Sequence, residues 1–255
     1  MKVLRALAIA FSTYSKIPMP QFEWTKEDMK HVISFFPCVG LVIGFFECIW
    51  FSIAVKIGVG DLARAIIAAL IPVFITGGFH VDGFMDTSDA IYSYKDREKR
   101  LEILKDSNVG AFAVIRLLAA AGLAVAAMSE IRSVSSMQVL GLGFVLSRAL
   151  SAMGVLHFRS ATKKGSLFYT ASNSDRIVNT LALCFIIPAA TVLMIIISPV
   201  PGLMTAAGAF LSFLFYRIMS YRKFGGITGD TAGYFVTLCE VVMMILTAAG
   251  DMICR

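Results

Sequence analysis

The sequence predicts an all-α, polytopic membrane protein: about seven transmembrane helices, a short interfacial helix at the N-terminus, and one integral membrane domain over residues 1–255. Three observations carry this. The chain is 58% hydrophobic and only 16% charged, where a soluble domain holds roughly 25% charged residues. Its mean hydropathy is +0.79. Apolar runs of about 20 residues recur along it, the length that crosses ~30 Å of hydrocarbon.

The elements follow in chain order. Residues 1–16 put Val3, Leu7, Ala10 and Tyr14 along one face and Lys2, Arg5, Ser12 and Lys16 elsewhere, which predicts a helix lying in the membrane interface. A cleavable leader is the rival reading, but Arg5 interrupts an apolar stretch already too short for one. Lys16-Ile17-Pro18-Met19-Pro20 then turns the chain towards the first span. Spans are expected at 31–57, 62–79, 108–129, 136–157, 177–198, 202–220 and 231–252. Pro72 and Pro188 fall inside them as kinks. Four of the cysteines (Cys38, Cys48, Cys184, Cys239) also lie in spans as small apolar side chains, and no C-x-x-C pair is present.

Charge then sets the orientation. On the side of the N-terminus fall Lys2, Arg5, Lys16, Lys26, Lys30, Lys95, Arg97, Lys99, Arg100, Lys105, Arg159, Lys163, Lys164, Arg176, Arg217, Arg222 and Lys223. The opposite side holds Lys56, Arg64, Arg132 and Arg255, while Arg116 and Arg148 lie within spans. Basic residues collect on the cytoplasmic face, so a multi-pass protein of the cell inner membrane is expected, with its N-terminus in the cytoplasm. The polar segments 80–107, 158–176 and 221–230 all land on that face. Substrates are therefore expected from the cytoplasm, whereas a transporter places ionisable groups near the midplane. Nucleic acid is not an expected partner, and self-association is left open.

Asp82, Asp86 and Asp89 stand at i, i+4 and i+7, within about 60° of each other on a helix. Three clustered anions at a membrane edge call for a cation, and hard oxygen ligands suit Mg²⁺, with Mn²⁺ as a substitute. An exposed acidic loop is the plain alternative. The glycines Gly77, Gly78 and Gly83 would let a phosphate or a neighbouring helix come close. Next, Lys105-Asp106-Ser107-Asn108-Val109-Gly110 stands at the threshold of the third span. Ser107 or Asn108 is placed to cap that helix, or its free N–H groups to meet phosphate. Lys105 suits a phosphate contact and Asp106 a further metal ligand. Gly225-Gly226-Ile227-Thr228-Gly229-Asp230 opens the last span as an anion cradle. Asp230 is placed to complete the metal shell, and Arg222 and Lys223 add positive charge for phosphates.

Further groups are costly or chemically apt. Arg148 inside the fourth span costs about 2.5–3.5 kcal/mol on insertion scales and is expected to face the bundle interior and pair with a carboxylate or a phosphate. Glu47 and Glu240 are similarly expensive, as ligands or ion-pair partners. His80 is a candidate proton acceptor, and Arg159 opens a loop whose Lys163 and Lys164 suit phosphate or lipid headgroups. Carboxylates, a divalent ion, glycine-rich turns and surplus cations fit transfer of a phosphorylated group from a diphosphate. No Ser/His/Asp triad or thiolate nucleophile is evident, so direct attack by an acceptor hydroxyl is the simpler chemistry.

Three blocks carry a resemblance. His80-x-Asp82-Gly83-x-x-Asp86-x-x-Asp89, Lys105-Asp106-Ser107-x-x-Gly110 and Gly225-Gly226-x-Thr228-Gly229-Asp230-x-x-Gly233 resemble the signature blocks of the cobalamin synthase (adenosylcobinamide-GDP ribazoletransferase) family. Phe79, Phe84 and Met85 stand where mainly aliphatic residues are expected. The resemblance implies a Mg²⁺-dependent membrane transferase of cobalamin biosynthesis. It would join adenosylcobinamide-GDP and α-ribazole, or its 5′-phosphate, to give adenosylcobalamin, or its 5′-phosphate, and GMP. On that reading Asp82, Asp86, Asp89, Asp106 and Asp230 hold metal, and His80 or a carboxylate takes the acceptor's proton. Lys105, Arg148 and the glycine-rich turn hold the diphosphate. The rival families fit less of this pattern. A CDP-alcohol phosphatidyltransferase continues D-G-x-x-A-R, where this chain has Met85-Asp86. A prenyltransferase also binds Mg²⁺-diphosphate through Asp motifs, and a cation transporter would use the Asp face as its ion site.

Overall fold

The computed structural model describes residues 2–106, 108–162 and 164–255, and helices make up nearly all of the regular structure there. An N-terminal helix α1 (Lys2–Tyr14) and a short α2 (Lys26–Met29) lead through a 3₁₀ turn at Val32–Phe35 into α3 (Phe36–Lys56). Then come α4 (Asp61–Thr76), α5 (Phe79–Tyr92), α6 (Arg97–Ile103), α7 (Ala111–Glu130), α8 (Val134–His157), α9 (Ser166–Asn173), α10 (Arg176–Ile197), α11 (Pro199–Phe224) and α12 (Gly229–Ile253). Among the described residues, six helical stretches are long and apolar enough to cross a membrane, and α4 with α5 makes a seventh if that bent pair is one span. The protein is a multi-pass helical membrane protein.

The apolar periodicity explains which helix sits where. Helix α8 is enclosed on all sides, packing against α3, α10, α11 and α12. Small residues let it do so, since a Cβ on Gly44 of α3 would land on the Gly141 backbone of α8. Helix α10 lies at the rim instead, with Leu181, Phe185 and Ile196 exposed, as suits a lipid-facing surface where the surrounding solvent is itself apolar.

Three sequence expectations change in detail. The span expected at 62–79 stops at Thr76, because Gly77 (φ +68°) and Gly78 (φ +79°) both adopt the left-handed conformation, which favours glycine. There the chain turns by 96° and starts α5. Helix α1 buries Ala6, Ile9 and Ala10 and exposes Val3, so its packed face is rotated from the one read from the sequence. The polar segments after α5 and α8 also hold short helices, α6 and α9, which apolar periodicity alone does not reveal.

Candidate active site

The elbow between α4 and α5 builds the first wall of the site. Lys16 ties to it through a backbone N–H donated to the Ile75 carbonyl at 2.8 Å, and its side chain lies over Gly77. Helix α5 buries His80, Gly83, Phe84, Thr87 and Ser88. That leaves Asp82 exposed and Asp86 and Asp89 half-buried, the single face expected from their spacing.

Helix α12 supplies the second wall. A Cβ on Gly83 would come within 2.8 Å of the Asp230 carbonyl oxygen, so the start of α12 presses on α5 at a point only glycine allows. Phe84 stacks on Tyr234 with ring centroids 5.2 Å apart. Asp82, Asp89 and Asp230 consequently lie close enough to Asp86 to repel its charge. No lysine or arginine among the described residues forms an ion pair with any of the four.

The third wall is made of loops. Arg159 and Ile227 hold their segments together: the Ile227 N–H donates to the Arg159 carbonyl at 2.9 Å and the Ala161 N–H to the Ile227 carbonyl at 2.8 Å. Arg159 Nε also donates to the Gly225 carbonyl at 3.0 Å. Gly225 is left-handed (φ +75°), and the Arg97 guanidinium of α6 lies over it. Thr228 caps α12: its hydroxyl accepts from the Thr231 N–H at 3.1 Å while the Thr231 hydroxyl accepts from the Thr228 N–H at 2.8 Å. Between these loops is a cavity of about 230 Å³ whose lining includes Lys105, Lys164, Ser166, Thr228, Gly229 and Asp230. Lys105, Lys164, Arg159, Arg222 and Lys223 make no ion pair among the described residues.

Most of the residues singled out in the sequence thus meet at one end of the bundle. Asp82, Asp86, Asp89 and Asp230 form the acidic side, Gly83 and Gly110 the points of closest approach, and Gly225, Gly226, Thr228 and Gly229 the turn. Gly110 is also the residue preceding α7, the position expected for Ser107 or Asn108. It is glycine for want of space, because a Cβ there would strike the Asp89 carboxylate. Gly78 shapes the elbow, and Arg222 and Lys223 end α11 next to the turn. Ser107 and Lys163 lie outside the described residues.

Asp106 and His80 are placed differently, while Arg148 faces the interior and pairs with a carboxylate, as expected. Asp106 is exposed and accepts from the Asn108 N–H at 3.0 Å and Nδ2 at 2.7 Å, bonds that hold its carboxyl below the usual range. It is not among the carboxylates acting on Asp86. Arg148 is fully buried in α8, where it pairs with Glu240 of α12. His80 also faces inwards, its ring 5.5 Å from that of Phe36. Sequence reading passed over Arg97, Lys16 and Ser166. A basic residue beside a helix start is too common a signal to single out Arg97, and only the fold brings it onto Gly225.

Among the described residues no three His, Cys, Asp or Glu side chains converge tightly enough to cage a metal unaided. What the donor set fits is a hard cation that keeps part of its shell, held by one or two carboxylates and completed by substrate oxygens, as Mg²⁺ usually is.

A family model described as cobalamin-5-phosphate synthase matches residues 6–248. The chain belongs to that family. Adenosylcobinamide-GDP ribazoletransferase of Lachnoclostridium phytofermentans is 39% identical over 258 residues, covering 99% of this chain and 97% of its own. The enzymes of the same name from Clostridioides difficile strain 630 (30%, over 91% of this chain and 92% of its own) and Clostridium perfringens strain 13 (29%, over 95% and 96%) are similar too. No solved structure matches the chain. Membership in this family makes the protein a transferase, and described residues from each of the three glycine- and acid-rich blocks meet at one end of the bundle.

Proposed function

We propose that this protein is an adenosylcobinamide-GDP ribazoletransferase, completing the nucleotide loop of cobalamin by joining adenosylcobinamide-GDP to α-ribazole or its 5′-phosphate. The observation that carries the reading is the meeting of three distant segments around four carboxylates that no side-chain cation among the described residues neutralises. A diphosphate needs cations, and four carboxylates would repel it unless a divalent ion lies between. Mg²⁺, when bound, would offset the charge of the diphosphate and of the departing phosphate. One or two of Asp82, Asp86, Asp89 and Asp230 would hold it, with substrate oxygens completing its shell.

The remaining chemistry belongs to the chain's own groups. Lys105, Lys164, Arg159, Arg222 and Lys223 supply free cations for the nucleotide diphosphate, beside the turn that Gly225 and Gly226 shape. A ribose hydroxyl of the acceptor attacks the phosphorus bound to cobinamide, and the new P–O bond forms as the bridging P–O bond to GMP breaks. The hydroxyl proton passes to a carboxylate of the cluster, since His80 lines interior cavities and Asp82 the outer groove. Holding donor and acceptor in line contributes much of the acceleration. The excess of Lys and Arg on the loops of the site's side supports a cytoplasm-facing site in the inner membrane.

The test is direct. Purified protein in nanodiscs, given Mg²⁺, adenosylcobinamide-GDP and α-ribazole, is expected to yield adenosylcobalamin and GMP in equal amounts. Folded protein that yields neither overturns the reading.

A further inference from the structure

Two guanidinium groups meet at Gly225. Arg159 Nε donates to the Gly225 carbonyl at 3.0 Å, and a Cβ on Gly225 would land on the Arg97 guanidinium of α6. Neither arginine forms an ion pair among the described residues. The acidic residues flanking Arg97 in α6 are engaged elsewhere: Asp96 accepts from the Lys99 N–H at 2.9 Å, and Glu102 pairs with Lys99. Like charges brought to one backbone residue repel each other, and an anion between them reverses that.

The fold holds both arginines in place without a ligand. The Arg159 guanidinium lies 5.5 Å from the centre of the Tyr221 ring, and its backbone N–H donates to the Tyr221 hydroxyl at 2.8 Å. Arg97 is set by α6, whose Leu101 and Leu104, four and seven residues on, pack into the core and turn that face inwards. Arg100 of the same face is half-buried and also makes no ion pair among the described residues. Leu101 and Leu104 line the cavity of about 230 Å³, as do Ser160, next to Arg159, and Gly229, four residues after Gly225. The arginines therefore stand at the edge of the space that Lys105 and Lys164 line.

Resting on the transferase reading above, we infer that Arg97 is a further phosphate-binding residue, which with Arg159 clamps a substrate phosphate across Gly225. Two guanidinium forks match the several oxygens of a phosphate, and each N–H···O⁻ bond is charge-assisted. An uncharged group there would leave the two cations repelling. Neither arginine pairs with Asp82, Asp86, Asp89 or Asp230, so this is a separate contact from the one the divalent ion would make. The donor's nucleotide carries such a phosphate, and so does a 5′-phosphorylated acceptor.

Ligands with and without the phosphate test the assignment and distinguish the two sources. GMP is compared with guanosine, and α-ribazole 5′-phosphate with α-ribazole, by Kd in nanodiscs with Mg²⁺. Arg97→Gln is expected to weaken a phosphate-bearing ligand at least about tenfold, the scale of a hydrogen bond to a charged group, and to leave its phosphate-free counterpart unchanged. Arg97→Lys keeps the charge without the fork and is expected to recover part of the loss. Loss for GMP places the phosphate on the donor; loss for the 5′-phosphate places it on the acceptor. Lys95→Gln, which removes an equal charge two residues before Arg97, is expected to change neither. Unchanged affinity for both phosphate-bearing ligands in folded Arg97→Gln overturns the assignment and leaves the transferase reading standing. Equal weakening of the phosphate-free ligands also overturns it, and would mark Arg97 as a support for the turn. Absence of product from the unaltered protein would instead remove the transferase reading, while binding of inorganic pyrophosphate that Arg97→Gln abolishes would keep the phosphate site.

Discussion

The two acidic regions of this protein differ in how their charge is balanced. At the end of the bundle, Asp82, Asp86, Asp89 and Asp230 crowd together without a side-chain cation among the described residues, and Asp82 is exposed. Deep in the helices Glu240 has its own guanidinium, Arg148, and both are buried. The uncompensated charge left open to solvent is where the proposed ion would bind. Compensated charge sealed between helices is structural. Even there the balance is incomplete, because both carboxylate oxygens of Glu47 are buried without a partner.

The largest expected effect separates the two regions by function. Asp82→Asn and Asp86→Asn keep the shape of each side chain and remove a charge from the open cluster. Each is expected to lower GMP release by at least about a hundredfold, on the scale of losing one transition-state contact. Thermal stability is expected to hold or rise, since mutual repulsion falls. Wild-type turnover in either variant would remove that residue from the ion shell and bring the open cluster closer to an ordinary acidic surface.

The next effect probes the sealed pair. Arg148→Met leaves Glu240 buried without its partner and is expected to cost about 3–5 kcal/mol. Arg148→Met with Glu240→Gln removes both charges and is expected to recover most of that loss. The comparison is read from thermal unfolding of the two proteins in the same nanodiscs. A double variant no more stable than the single one would show that the pair is not the structural unit described.

How much of this was legible in the chain depends on what set each residue's place. Hydrophobic period and length located the spans, and helical phase put the three Asp of α5 on one face, because both are local. Charge balance is not local. Arg148 could be read as costly and inward-facing, but the choice of Glu240, 92 residues away, depends on how α8 meets α12. The α4–α5 elbow was similarly hidden: the two glycines permitted a turn, yet only the structure shows both left-handed. Arg97 and Asp106 show the same limit in opposite directions. One is carried onto Gly225 by tertiary packing. The other is held at its own loop by Asn108, a bond from two residues on.

Close approach offers a smaller and sharper contrast between the site and the rim. Gly83→Ala adds a methyl that meets the Asp230 backbone at 2.8 Å, so α12 must shift away from α5. Such overpacking costs about 1–3 kcal/mol, and the displacement of Asp230 is expected to reduce turnover more than stability. Gly122 in α7 is the control, since a Cβ there meets nothing within 4 Å. Gly122→Ala is expected to leave turnover unchanged and to stabilise the helix by about 0.5–1 kcal/mol. Equal turnover in the two variants would show that the α5–α12 contact does not position the carboxylates.

The smallest expected effect concerns a third kind of charge, paired but near the surface. Asp28 accepts from Arg5 Nε at 2.8 Å and Nη2 at 2.9 Å, tying α1 to α2. It also accepts from the Thr25 N–H and hydroxyl. The bond to Arg5, then those to Thr25, hold its carboxyl well below the ordinary range. A carboxyl lowered on folding stabilises the fold above its unfolded value, about 3.9, and that contribution fades as pH falls through the lower folded value. Asp28→Asn is therefore expected to lower the melting temperature slightly at pH 7, and the gap to the parent protein is expected to close below about pH 4. Asp86 has the opposite dependence, because burial and then the neighbouring carboxylates raise its carboxyl above the usual range. Acid should thus loosen the attachment of α1 while it eases the crowding at the carboxylates. A gap between Asp28→Asn and its parent that stays constant from pH 7 to pH 3 would show that the Asp28 carboxylate's charge is not what fastens α1.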